Sequence, residues 1–97
     1  MLFALINTDR PGSLDLRLST RAAHLNYLDG HAAKIVSGGA MLDASGQPAG
    51  SLLVVDVEDR AAAEAFAAAD PYAQAGLFES TVVRPFRQVY KNGAKLG

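Results

Sequence analysis

Apolar residues fall along this chain in two rhythms, short unbroken runs and longer stretches that repeat every three or four positions. Leu2 to Ile6 is an apolar run of strand length, and the turn Asn7-Thr8-Asp9-Arg10-Pro11-Gly12 ends it. From Ser13 the rhythm changes: Leu14, Leu18, Leu25, Leu28 and Ala32 recur at helical steps, with Ser13 placed to cap the start and Asp15 in the first turn. This predicts one long amphipathic helix. Ile35-Val36 and Met41-Leu42 predict a second strand interrupted by Ser37-Gly38-Gly39, and Asp43 to Gly50 reads as a polar loop, long for a hairpin. Ser51 to Val57 (SLLVVDV) is short, β-branched and the clearest strand. Asp59 caps a second helix, rich in alanine, through Ala69; Asp70 to Ala75 adds a helical turn stopped by Gly76, and Leu77 to Tyr90 is a final extended segment.

Strand, helix, strand, strand, helix, strand is the order of the split βαβ unit, so the expected fold is α+β and ferredoxin-like, with a four-stranded antiparallel sheet. Residues 1–90 make one domain, and the tail KNGAKLG over 91–97 has little to pack and is expected to fray. Two helices cover one face of such a sheet. The strands are nevertheless apolar on both: Leu52 and Val54 oppose Leu53, Val55 and Val57, and Phe3 and Leu5 oppose Leu2, Ala4 and Ile6. An apolar sheet face left in water is costly, and pairing it with a second copy in a homodimer is the economical solution.

Composition narrows the function. Lys and Arg number 9 against 10 Asp and Glu, giving none of the field that draws a chain to nucleic acid or acidic lipid. Cysteine is absent, which removes thiolate nucleophiles and Cys-based metal sites. The opening MLFALIN is too short and lacks the basic start of a leader, and no run approaches the roughly 20 apolar residues of a membrane span. The expectation is a soluble cytoplasmic protein with no nucleic-acid or membrane partner.

On the first helix, Leu14, Leu18, Leu25 and Ala32 fall within about 40° of one another, while Arg17, His24 and His31 form a stripe beside them and Arg21 lies nearer the apolar centre. A basic side chain on that boundary can reach a cleft at the sheet edge, and Arg17 or Arg21 could bind an acidic substrate group. His24 and His31 lie roughly 10 Å apart along the axis and cannot share a metal ion, and no HExxH spacing exists, so no metal or other cofactor is expected. Gly38-Gly39 belongs to neither a dinucleotide nor a phosphate loop, and fits a bulge or close backbone approach to a ligand. No serine sits in a GxSxG context. Asp70 followed by Pro71 has the form of an N-cap and first helical residue.

RxxH at Arg21 to His24, the glycines at Gly38 and Gly39, ADPY at Ala69 to Tyr72 followed by Ala75-Gly76, and VRPF at Val83 to Phe86 together resemble the YciI-like family. The resemblance runs from Met1 to about Val89 and departs at Ala40, where a proline often follows the glycine. It implies a dimeric α+β barrel of ferredoxin-like subunits and a site in which the helix histidine, His24, faces the aspartate of DPY, Asp70. A carboxylate on one imidazole nitrogen fixes the tautomer and leaves the other to exchange a proton near neutral pH. Tyr72 is placed to line the same pocket.

Three readings follow. One is a lyase or isomerase, free of cofactor, acting on a small acidic metabolite, cyclic or not, with His24 as acid and base and Asp70 as its orienter. Another is a small-ligand binding or accessory dimer without turnover. The third is a structural dimer in which Asp70, Pro71 and Tyr72 serve capping and packing.

Overall fold

The structure, a computed structural model, describes residues 1–97. Its elements are β1 (Leu2–Asp9), α1 (Leu14–Asp29), β2 (Ile35–Leu42), β3 (Pro48–Asp56), α2 (Arg60–Ala68), α3 (Pro71–Gln74) and β4 (Phe78–Pro85), then a small hairpin of β5 (Tyr90–Lys91) and β6 (Ala94–Lys95). β1 to β4 form one antiparallel sheet in the order β2-β3-β1-β4, the expected ferredoxin-like α+β fold.

Register sorts the side chains into rows across the sheet. On the helix-covered face Val55, Phe3 and Pro85 lie side by side, next Leu53, Leu5 and Val83, and then the row turns polar with Ser51, Asn7 and Thr81. Phe3, Leu5, Leu53 and Val55 join Ala63 and Phe66 of α2 in the apolar core. Burial of that cluster supplies the main drive to fold, at about 25 cal/mol per Å² of apolar surface removed from water. On the opposite face Leu52, Ile6 and Val82 align in one row, and Leu52 and Val82 stay exposed.

α1 turns a different side inward from the one its leucines predict. Arg17 is 5 % exposed and His24 8 %, whereas Leu18 is 56 % and Leu25 37 % exposed. The cause is specific pairing: Arg17 and His24 find carboxylates beneath them, and a buried charge or imidazole is tolerated where it is hydrogen-bonded. Hydrophobicity alone does not register such partners. Farther along, Tyr27 and Leu28 pack on the core, and the Tyr27 hydroxyl donates to the Phe66 carbonyl at 2.8 Å, tying α1 to α2. The helix ends at Asp29, and Ala32–Lys34 is a separate 3₁₀ turn. Ser13 occupies the N-cap position without a side-chain bond, while Asp59 caps α2 through a 2.8 Å bond from the Ala62 N–H.

Four further boundaries differ from the sequence expectation. β1 continues through Asn7, Thr8 and Asp9, which the sequence assigns to the turn, because all three pair in the sheet. β2 runs unbroken through Ser37-Gly38-Gly39, with a bulge between Ile35 and Ser37. β3 begins at Pro48, so the loop is only residues 43–47; Asp43 closes it by accepting from the Ser45 hydroxyl at 2.7 Å and from the Ser45 and Gln47 N–H groups, which hold its carboxyl below the usual carboxylate range. The tail carries the β5–β6 hairpin, turned by Asn92 and Gly93 at φ 51° and 79°, the left-handed pair of a type I′ turn. No helix is long and apolar enough to cross a membrane.

Gly38 pairs with Leu53, and a Cβ at Gly38 would run into the Leu53 side chain, whereas one at Gly39 meets nothing within 4 Å. The end of the Leu53 side chain can move toward the cavity, whereas a Cβ at Gly50 would lie 2.5 Å from the Asn7 backbone carbonyl oxygen. Gly50→Ala is therefore expected to lower stability by about 1–3 kcal/mol through overpacking. Urea unfolding checks this, and a Gly50→Ala protein as stable as the parent would refute the close approach.

Candidate active site

α3 is a single turn whose placement is set by its first residues. Asp70 ends the alanine-rich run in extended backbone, and Pro71 supplies the first helical position without an N–H to satisfy. Asp70 Oδ1 accepts the Tyr72 N–H at 2.9 Å, the capping bond that the Asp-Pro pair predicts. The same oxygen lies 2.8 Å from His24 Nδ1, so the imidazole donates its Nδ1–H to the carboxylate. Both side chains are nearly enclosed. One oxygen thus joins the start of α3 to the middle of α1.

The Tyr72 ring stacks on the His24 ring, with centroids 3.9 Å apart and planes 17° from parallel. The Arg17 guanidinium carbon lies 4.7 Å from the Tyr72 ring centroid. Arg17 is fixed in turn by Asp9, with Nε to Oδ2 at 2.7 Å and Nη2 to Oδ1 at 3.2 Å, and Nη2 also donates to the Gly50 carbonyl at 2.9 Å. Burial acts against the Arg17 charge, but the hydrogen bonds and charge of Asp9 outweigh it and hold the guanidinium protonated beyond its ordinary range. Burial raises the Tyr72 phenol, opposed by the charges of Arg17 and Arg21, so it is a neutral hydroxyl near pH 7.

A cavity of about 270 Å³ opens between α1 and the β2–β3 edge. Arg17, Arg21, His24 and Tyr72 border it from the helical side, Gly38, Gly39, Ala40 and Ser51 from the strands, and Leu25, Leu28, Ile35 and Leu53 supply apolar wall. Of the residues singled out in the sequence, Arg17, Arg21, His24, Gly38, Gly39 and Tyr72 meet here, while Asp70 lies behind His24. Because Asp70 holds Nδ1, Nε2 is the ring nitrogen without a protein partner. Arg17 has two nitrogens committed to Asp9 and Gly50; Arg21 makes no ion pair and is the cation left for a ligand. His31 is apart from this site, its Nδ1–H donating to the Tyr27 carbonyl at 2.9 Å.

Sequence reasoning passed over Asp9, Asn7 and Ser51. The signal was present: Phe3, Leu5, Asn7 and Asp9 share one face of β1 by alternation, so two polar residues continue the row of two core residues. Buried polar residues in register with a core imply partners.

Loss of one member of the Asp9–Arg17 pair strands the other. Asp9→Ala is expected to destabilise the fold by about 3–5 kcal/mol, and the double change Asp9→Leu with Arg17→Met by much less. Denaturant titration of both variants tests this, and equal losses would show that the ion pair itself is not the source of the penalty.

The family model for the YCII-related domain matches residues 1–87. Protein YciI of Escherichia coli O6:H1 is 36 % identical over 102 aligned positions, which take in 93 % of this chain and 100 % of that protein. An uncharacterised protein of Haemophilus influenzae is 29 % identical over the same shares of the two chains. Among solved structures, the 5-chloro-2-hydroxyhydroquinone dehydrochlorinase of Burkholderia phenoliruptrix, in complex with 2,5-dihydroxybenzoquinone, superposes with a TM-score of 0.85 at 39 % identity over 90 % of this chain and 94 % of that one. An antibiotic biosynthesis monooxygenase shares the fold at 13 % identity, with a TM-score of 0.50 over 91 % of this chain and 100 % of that one. By a family match across most of its length and by its curated relatives, this chain belongs to the YCII-related domain family.

Proposed function

We propose that this chain is a small-molecule enzyme of the lyase or isomerase class, acting on a single oxygenated ring, with His24 as general acid and base and Asp70 as its orienting carboxylate. The observation that carries the reading is the state of the His24 ring: tied at Nδ1, unpartnered at Nε2, and set in the wall of a cavity at the small end of ligand pockets. Nε2 takes a proton from a ring hydroxyl or carbon, and the imidazolium formed is stabilised through Nδ1–H by Asp70. The proton then returns to another atom of the ring in an isomerisation, or leaves with the departing group in an elimination. Arg21 offers a charge for the oxyanion that develops. Likeness to a dehydrochlorinase at 39 % identity supports elimination from a substituted ring.

Release of chloride from 5-chloro-2-hydroxyhydroquinone is the first assay. His24→Asn is expected to lower turnover at least about 100-fold while leaving 2,5-dihydroxybenzoquinone bound, and Asp70→Asn to lower turnover less and shift its pH profile. If that compound protects the wild type and His24→Asn equally against heat and no halogenated or unsaturated ring is converted, the cavity binds without turnover.

The Leu52, Ile6 and Val82 row supports a second part of the proposal, a homodimer joined through the open sheet face. Sedimentation equilibrium is expected to give the mass of two chains for the wild type and of one for Leu52→Asp. A wild-type monomer at micromolar concentration would end this part of the proposal.

A further inference from the structure

Ser51 lies on β3 between Ala40 and Asn7, 5 % exposed, and borders the cavity. It belongs to the single polar row of the helix-covered sheet face. In that row the Thr81 hydroxyl donates to Asn7 Oδ1 at 2.8 Å, and Asn7 Nδ2 donates to Ser51 Oγ at 3.0 Å. The row has a direction. With its oxygen held by Thr81, the Asn7 amide presents nitrogen to Ser51, so the serine oxygen accepts. A hydroxyl has one proton to give, and that of Ser51 has no acceptor within the chain. Three strands thus cooperate to leave one O–H free at the cavity wall, where a buried donor needs a partner.

We infer that Ser51 is a substrate-binding residue whose hydroxyl donates to a carbonyl or oxyanion oxygen of the ligand, with Asn7 and Thr81 as the positioning residues that orient it. The inference rests on reading the cavity as a small-molecule site and adds what that site selects. The apolar wall of Leu25, Leu28, Ile35 and Leu53 accepts the face of a ring. Ser51 then requires an acceptor oxygen on the ring edge, and an aromatic hydrocarbon or an ammonium group at that position leaves the hydroxyl proton unpaired, which a buried site penalises.

Calorimetric titration of 2,5-dihydroxybenzoquinone tests this on the wild type, Ser51→Ala and Asn7→Asp. Ser51→Ala is expected to bind about tenfold more weakly, the effect of losing one hydrogen bond to a charged or strongly polarised oxygen. Asn7→Asp keeps the shape but offers only acceptors, so it draws the Ser51 proton away from the cavity and should weaken binding comparably with the serine intact. Thr81→Val, which frees the Asn7 amide to turn, should weaken it by a smaller factor. Wild-type affinity in Ser51→Ala overturns the assignment, as does a wild type that binds no benzoquinone, phenolate or benzoate. Wild-type affinity in Asn7→Asp beside a weakened Ser51→Ala overturns the relay. Selective weakening in a protein that converts no ring compound supports Ser51 and counts only against turnover.

Discussion

One carboxylate oxygen holds the helical wall of the cavity together. Asp70 Oδ1 accepts both the Tyr72 N–H and the His24 Nδ1–H, so the bond that starts α3 is also the bond that orients the imidazole. Capping and positioning are therefore one act. Tyr72 follows from it, because a turn begun at Asp70 sets the Tyr72 ring flat against His24, and Arg17 closes the stack from beyond. Charge-assisted bonds of this kind are shorter and stronger than neutral ones, and enclosure raises the cost of leaving either group unpaired.

The sheet beneath divides along its strands. At one end the rows are aliphatic and aromatic and α2 closes over them; at the other, Ser51, Asn7 and Thr81 are joined laterally and Asp9 takes up Arg17. Polar groups at that depth are tolerable because every fully enclosed side-chain nitrogen and oxygen has a partner within the chain, while His24 Nε2 and the Ser51 proton are unpaired at the cavity wall. The cavity lies where the two halves meet. Its walls combine apolar surface with polar side chains.

The same division explains the odd exposure of α1. Its inward face is chosen by carboxylates on β1 and at the start of α3, and as a result Leu18 is turned outward and Leu25 is left half-exposed at the cavity wall. A helix normally buries its apolar stripe. Here paired polar groups displace it.

Much of the fold was legible along the chain, because period-two and period-3.6 patterns are local properties of neighbouring residues. The order of elements, the two-faced strands around Leu52 and Leu53, the Asp59 cap and the Asp-Pro start of α3 all follow from residues a few positions apart. The motifs at His24 and Asp70 are likewise written in sequence as a family resemblance. Their separation of 46 positions, however, is closed only in three dimensions, at 2.8 Å. The inward turn of Arg17, the unbroken β2, the Ser51 row and the shared Asp70 oxygen depend on partners brought from distant strands and helices. Hydrophobic period says which side chains avoid water; only the tertiary structure decides which polar ones are satisfied without it.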